Sequence, residues 1–262
     1  MKAITSRDNP TLKKLHGVAN SAKERRKHGL TLLDGPHLLT SALDADWPLQ
    51  AIYLSESARE TSEIAGLLAR LPVQLEPVLL PDTLFAHISP VDAPSGILAA
   101  VALPELVAPS AKADSLLVLD GVQDPGNLGT LLRTAAAAGL SEVLLSEGCT
   151  QAWSPRALRA GMGAHFQLRI CERCDLLAAL QGYPGQVLAT ALKPDSRLLY
   201  ELPLTGPVAW LFGAEGQGLS PALLERADTR VLIPMADGVE SLNVAAAAAI
   251  CLFEQRRQIL LG

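Results

Sequence analysis

The sequence predicts an α/β protein of two domains, the second built on a parallel sheet. Helix-like and strand-like segments alternate through the first hundred of its 262 residues. The pattern is interrupted at residues 104–112, which hold Pro104, Pro109 and several small side chains, the composition of a linker. Beyond that interruption come short apolar runs without polar alternation, as in parallel strands covered on both faces.

Residues 10–28 read as one or two basic helices, and 30–33 as a short strand. Helical periodicity returns at 37–45 and 56–70, with a strand at 50–54 between them. The small-residue segment 95–102 closes this part as a strand. The first domain is therefore set at 1–104, the linker at 105–113 and the second domain at 114–262. A buried-type strand at 116–120 opens the second domain. After a turn rich in Gly and Pro, a helix over 127–138 ends at Gly139, in the C′ position. Further strands are expected at 143–146, 187–190, 208–212 and 230–233. Ser154-Pro155 and Ser220-Pro221 each join an N-capping residue to proline at the first helical position, so helices should start there. The last helix, over 242–258, is apolar around most of its girth and needs burial on more than one side. A subunit interface is one way to supply it.

Composition narrows the class. With 49% hydrophobic residues the chain can bury enough surface to offset its ordering entropy, which excludes long disorder. Its most apolar stretch, residues 244–253, has about half the length of a membrane span. No apolar run follows the amino-terminal charges, so no secretory signal is expected, and a cytoplasmic protein with reduced thiols is. Of its four cysteines, Cys171 and Cys174 have metal-ligand spacing but lack a second pair, so no metal is expected.

The net charge of −5 argues against a nucleic-acid partner until it is divided. Residues 1–30 carry eight basic and two acidic side chains, an excess of +6, which leaves −11 for the remainder. A basic arm on an acidic body can displace counterions from phosphates, although a solvated helix face is the simpler reading of such a run alone.

Three loops, each beyond the carboxyl end of an expected strand, hold the chemistry. The first is Asp120-Gly121-Val122-Gln123-Asp124-Pro125-Gly126-Asn127-Leu128-Gly129, followed by Arg133 among leucines and alanines. Its glycines do not fit the dinucleotide fingerprint, and no acidic residue suited to ribose follows the next strand. Arg133 lies less than two turns beyond Asn127, so both could face one cleft, with a capped helix whose Arg133 extends its head to water as the equal alternative. The second loop, Gly213-Ala214-Glu215-Gly216-Gln217-Gly218, holds a carboxylate between glycines that permit close backbone approach. The third runs from Ile233-Pro234-Met235 to Ser241-Leu242-Asn243, with Ser241 the expected cap of the last helix.

In order and spacing these segments resemble the three motifs of the SpoU (TrmH) branch of the SPOUT RNA methyltransferases, over residues 115–257. The stretch from Arg159-Ala160-Gly161 to His165-Phe166 resembles that family's segment between its first and second motifs. Residues 1–103 resemble, less sharply, its ribosomal-protein-like RNA-binding domain, through Ser6-Arg7-Asp8-Asn9-Pro10 and Pro94-Ser95-Gly96-Ile97. The resemblance implies a small α/β RNA-binding domain before a SPOUT catalytic domain with a trefoil knot. It also implies a homodimer with the active site at the interface.

The implied reaction is methyl transfer from S-adenosylmethionine to a ribose 2′-hydroxyl, most of all in ribosomal RNA. A transfer RNA substrate, or an inactive RNA-binding module of the same fold, are the alternatives. The resemblance places the cofactor on Gly213, Ile233 and Leu242, with Thr190, Leu211 and Met235 as further contacts. It places the polar active-site roles on Asn127, Arg133, Glu215, Ser241 and Asn243. The family casts Arg133 as the base, but a guanidinium with a pKa above about 12 is ill suited to remove a proton. Clamping a phosphate or stabilising the developing alkoxide, with Glu215 orienting it, fits its chemistry better. In an RNA enzyme, Arg7, Lys13, Lys14, Arg25, Arg26 and Lys27 become phosphate contacts.

Overall fold

The computed structural model describes residues 2–91, 93–110, 114–193 and 195–262. They form two compact units, and the division is not a single cut: Trp153–Phe166 groups with the residues up to Glu105, while Leu106–Ala152 and Gln167–Gly262 make the second unit.

The first unit runs β1 (Lys2–Ala3), α1 (Pro10–Asn20), α2 (Ala22–His28), β2 (Leu30–Asp34), α3 (Pro36–Asp44), β3 (Leu49–Ser55), α4 (Ser62–Leu68), β4 (Val78–Leu80), α5 (Asp82–Ile88) and β5 (Ile97–Ala102). Its sheet has the order β1-β4-β3-β5-β2. The first three strands run parallel, and β5 is antiparallel to both its neighbours. Asn9 starts α1 by accepting from the Thr11 amide, with Pro10 behind it. Leu12, Leu15 and Val18 recur at helical spacing and bury α1 among Leu32, Phe85 and Leu98. Gly29, left-handed at φ +60, ends α2 and turns the chain into β2.

The helix expected over 56–70 is broken here. A 3₁₀ turn at Ala58–Glu60 precedes α4, and Thr61 between them is extended. Its hydroxyl donates to the Ala58 carbonyl and holds the break. The short elements β1, β4 and α5 are additions to the sequence pattern.

The second unit runs β6 (Leu116–Asp120), α6 (Pro125–Ala138), β7 (Glu142–Leu145), then past α7 (Pro155–Gly161) of the first unit to β8 (Arg169–Cys171), α8 (Leu176–Ala179), β9 (Gln186–Thr190), β10 (Arg197–Leu198), β11 (Val208–Gly213), α9 (Pro221–Arg226), β12 (Thr229–Leu232) and α10 (Val244–Leu261). Seven strands in the order β10-β12-β9-β11-β6-β7-β8 are parallel throughout. The continuous apolar runs fill its core: Leu116, Val118, Val187, Ala189, Ala209 and Leu211 are buried together. From β6 the chain builds outward to β7 and β8, then returns to build β9 to β12 on the other side. The carboxyl ends of β6 and β11, where Asp120 faces Gly213 in register, therefore mark a topological switch point.

Helix α10 packs on α6 and is held by polar side chains as well as apolar ones. The Gln255 amide accepts from Trp210 Nε1 at 2.7 Å and donates to Ser115 Oγ and the Gly206 carbonyl. Gln258 accepts from the Leu204 amide and donates to the Leu202 carbonyl. Phe253, Ile259, Leu260 and Leu261 stay exposed.

Of the expected linker, residues 111–113 lie outside the described residues. The part before them is tied to the second unit rather than loose. Val107 packs against its core, Arg169 Nη2 donates to the Ala108 carbonyl at 2.8 Å, and the Ser110 amide donates to the buried Glu142 carboxylate at 2.8 Å. Among the described residues no helix is long and apolar enough to cross a membrane.

Candidate active site at the carboxyl ends of the parallel strands

The three loops meet through side chains that also shape their backbones. Asp124 caps α6 by accepting from the Asn127 amide at 2.7 Å, with Pro125 at the first helical position. This starts α6 two residues earlier than the sequence suggested and places Asn127 in its first turn. Asn127 Nδ2 donates to Glu215 Oε1 at 2.5 Å, and its Oδ1 accepts from Asn243 Nδ2 at 3.0 Å. Asn243 Oδ1 in turn accepts from the Ala245 and Ala246 amides. Asn243, not Ser241, is therefore the cap of the last helix, and Ser241 stands exposed before it. Glu215, Asn127 and Asn243 form one hydrogen-bonded chain across residues far apart in sequence.

The second loop is tight by necessity. An added Cβ at Gly213 would lie 2.0 Å from the Gly218 carbonyl carbon and 2.2 Å from the Leu219 nitrogen, so only glycine fits. The Gly218 amide donates to the Ala214 carbonyl at 2.8 Å and closes the loop, leaving Glu215 at its exposed tip. Asp120, which the sequence pattern did not single out, fastens this loop to the first: its carboxylate accepts from the Ser220 amide at 3.0 Å. The signal was present as an acidic residue ending a strand before glycine. Ser220 holds the cap position of α9 without bonding an amide through its side chain, whereas Ser154 caps α7 from Oγ to the Ala157 amide.

Gly213, Ile233, Met235 and Leu242 line the loops beyond β11 and β12, Ile233 and Met235 half-buried and Leu242 exposed. Thr190 ends β9, and its hydroxyl donates to the Leu211 carbonyl at 3.2 Å. The Leu211 side chain is fully buried and its strand is paired with β6 and β9, so it packs beneath the loops and a ligand there would meet only its main chain.

Arg133 is exposed on α6 and makes no hydrogen bond or ion pair with a described residue. Six residues turn a helix by about 600°, which sets Arg133 about 120° around the axis from Asn127. The two residues share α6, and only Asn127 is bonded to the other loops.

Among the basic residues, Arg25 is also corrected: it is 6% exposed, and its guanidinium donates to the Val18 and Ala19 carbonyls at the end of α1. Arg7 lies 3.2 Å from the His87 ring, Lys13 pairs with Asp8 and Lys27 with Glu24. Lys14 and Arg26 make no ion pair with a described residue.

Cys171 Sγ donates to Glu142 at 3.5 Å. Its hydrogen bond with Cys174, burial and that carboxylate push the Cys171 thiol up, while the same bond pulls Cys174 down. Among the described residues no three His, Cys, Asp or Glu side chains converge as metal ligands.

Residues 114–253 match the model of the SpoU rRNA methylase family, and 9–99 match the MRM3-like substrate-binding domain. The chain is 34% identical over 261 residues to a 23S rRNA (guanosine(2553)-2′-O)-methyltransferase, RlmP, of Bacillus subtilis, covering 98% of this chain and 100% of that one. It is similar to a crystal structure of an RNA 2′-O ribose methyltransferase at 32% identity, with a TM-score of 0.84 over 98% of this chain and 99% of the other. An AdoMet-bound rRNA methyltransferase from Sinorhizobium meliloti superposes with a TM-score of 0.85 at 28% identity, over 98% of each chain.

Proposed function

The chain belongs to the SpoU rRNA methylase family, and from that premise we propose that it methylates a ribose 2′-hydroxyl of ribosomal RNA using S-adenosylmethionine. The observation that carries the proposal is the hydrogen-bonded chain Glu215–Asn127–Asn243, which joins the three loops at the switch point of the sheet. The fit to the cofactor rests on Gly213: its Cβ face is filled by the Gly218 and Leu219 main chain, so only glycine lets the loop close at the strand end where the family holds its cofactor. Gly213, Ile233 and Leu242 would hold the cofactor, with Thr190 and Met235 beside them. When bound, it supplies a methyl group on a positively charged sulfur.

The protein's own part is then alignment and charge. The chemistry supplied there would be methyl transfer to the 2′-oxygen with the hydroxyl proton passing to water, and the protein's residues would hold the two reactants in line. Asn127 holds Glu215 in place, and Arg133 binds the target nucleotide's phosphate or the developing negative charge on its oxygen. Arg133 is exposed and meets no described residue of its own chain, which supports a homodimer whose second copy completes the site. The exposed Phe253, Ile259, Leu260 and Leu261 on α10 support the same assembly. Arg7, Lys13, Lys14, Arg26 and Lys27 supply phosphate contacts from the first unit, within a cytoplasmic enzyme.

Calorimetry with S-adenosylmethionine and with NAD tests the cofactor, with binding of the first alone expected. Mapping 2′-O-methyl groups in total RNA from a deletion strain tests the substrate, and a single lost site in large-subunit ribosomal RNA is expected. A loss confined to transfer RNA would overturn the ribosomal assignment.

A further inference from the structure

A second concave site lies within the first unit, at the carboxyl end of β2 and the start of α3, with a volume of about 520 Å³. That is within the range of about 300–1,000 Å³ typical of small-ligand sites. One wall is Gly35, Pro36 and His37, and another is Arg159 and Met162 from the 153–166 segment. This segment lies in sequence inside the methylase match, yet it is built into the first unit. Thr31 Oγ1 donates to the Trp153 carbonyl at 2.6 Å, and Trp47 stacks on Trp153 at 5.2 Å between ring centroids. Gly163, at φ +87, lies so close to α3 that an added Cβ would come within 2.4 Å of Ser41 Oγ. Arg159 is thus brought to the cavity by packing on both sides of it.

The lining has a distinct chemistry. Ser89 Oγ donates to Asp34 Oδ2 at 2.8 Å, and Oδ1 accepts from no described residue. Burial raises the pKa of Asp34, with the hydrogen bond from Ser89 and the charge of Arg159 opposing it. Asp44 and Glu63 also face the cavity, Asp44 already engaged by Arg70. With Asp44 neutralised by Arg70, Asp34 and Glu63 still outnumber Arg159, a poor home for phosphate. The site suits a ligand whose edge offers N–H donors to a carboxylate and an acceptor to Arg159. Met162, left-handed at φ +48 and 39% exposed, offers a soft apolar surface for a flat ring.

Guanine meets these conditions: N1–H and N2–H₂ donate from one edge, and O6 accepts from arginine on the adjoining one. Its Watson–Crick edge must be free, so the base must be unpaired. We propose that this cavity takes up an unpaired guanine of the RNA substrate, with Asp34 accepting from N1–H and N2–H₂ and Arg159 donating to O6. The assignment rests on the proposed RNA methylation.

Fluorescence anisotropy of the full-length protein with labelled UUGUU, UUIUU and UUAUU, where I is inosine, tests it. UUGUU is expected to bind about tenfold or more tighter than UUAUU, with UUIUU between them. Asp34→Asn should abolish that order, and Arg159→Gln should weaken UUGUU and UUIUU, which share O6, while leaving UUAUU unchanged. Both variants should keep wild-type affinity for S-adenosylmethionine and wild-type circular dichroism. Equal binding of the three oligonucleotides by a protein that binds S-adenosylmethionine would overturn the guanine site and leave the methylase reading standing. Loss of S-adenosylmethionine binding by the wild-type protein would instead overturn the methylase reading. GMP competing as well as UUGUU would overturn the RNA source and point to a free nucleotide.

Discussion

Gly213→Ala is the sharpest perturbation of the proposed cofactor cradle. The new Cβ would stand 2.0 Å from the Gly218 carbonyl carbon, 2.2 Å from the Leu219 nitrogen and 2.3 Å from the Gly218 oxygen, where real Cβ contacts essentially never fall under 3.0 Å. The two segments must therefore separate by about 1 Å, a distance close packing does not absorb without strain. Strand β11 cannot supply the movement, because it is paired with β6 on one side and β9 on the other. The far side is also held: Leu219 is buried and the Ser220 amide is bonded to Asp120. The loop around Glu215 must deform, at a cost of about 1–3 kcal/mol for overpacking of this kind. If that cost falls on cofactor binding, affinity for S-adenosylmethionine drops by about 5- to 150-fold. Isothermal titration calorimetry measures it, with circular dichroism to establish folding. Gly66→Ala is the matched control, since nothing lies within 4 Å of its added Cβ and its helical position favours alanine. A folded Gly213→Ala protein that binds the cofactor within twofold of wild type would refute the reasoning.

Other predictions follow from the same geometry. Arg133→Ala should abolish methylation while calorimetry shows S-adenosylmethionine affinity little changed; near-normal turnover would exclude both of its proposed roles. Arg25→Ala removes charge-assisted hydrogen bonds at the end of α1, so denaturant unfolding should show a loss of about 1.5–3 kcal/mol, with no change in the salt dependence of RNA binding. Arg26→Ala or Lys14→Ala should do the opposite, lowering the slope of log affinity against log salt by about 0.7–0.9 for each phosphate no longer neutralised. Glu254, gripped at 2.8 Å by two Arg257 nitrogens, has its pKa lowered from 4.5 to about 2. Above about pH 4.5 its contribution to stability is complete. Between about 4.5 and 2 the unfolded chain takes up the proton first and the contribution is lost. Glu254→Gln should therefore flatten the acid limb of a thermal-unfolding profile, and an unchanged limb would show that the pair contributes nothing.

What could be read in advance follows the range of the interactions. Gly139 ending α6 and Ser154-Pro155 starting α7 are rules acting over a few residues, and the structure follows them. The parallel sheet was visible because burial on both faces leaves unbroken apolar runs such as residues 116–119. Arg25 was misread because a charge run does not reveal which of its members folds back on a neighbouring carbonyl. The grouping of residues 153–166 with the first unit was invisible because the interactions that set it, Thr31 with Trp153 and Ser41 with Gly163, span more than a hundred residues. Polar side chains such as Gln255 and Gln258 gave no sign that they fasten α10, since a glutamine reads alike whether solvated or bonded.

Asn243 shows why candidate residues and structural caps resist separation in sequence. In the sequence it stands as a polar site residue, with the cap assigned to Ser241. In the folded chain it is both, because a carboxamide accepts through oxygen while donating through nitrogen. Its oxygen caps α10 and its nitrogen bonds Asn127, whose nitrogen bonds Glu215. An aspartate would keep the cap and lose the donor, forcing Asn127 to turn its own nitrogen toward the new carboxylate and away from Glu215. The chain therefore has one consistent direction, from the amides of α10 to the carboxylate of the second loop. It ends with that carboxylate bonded to a residue in the first turn of α6, where the positive end of the helix favours negative charge. The same interactions that start two helices thus hold Glu215 in place, and the loop chemistry is inseparable from the fold that presents it.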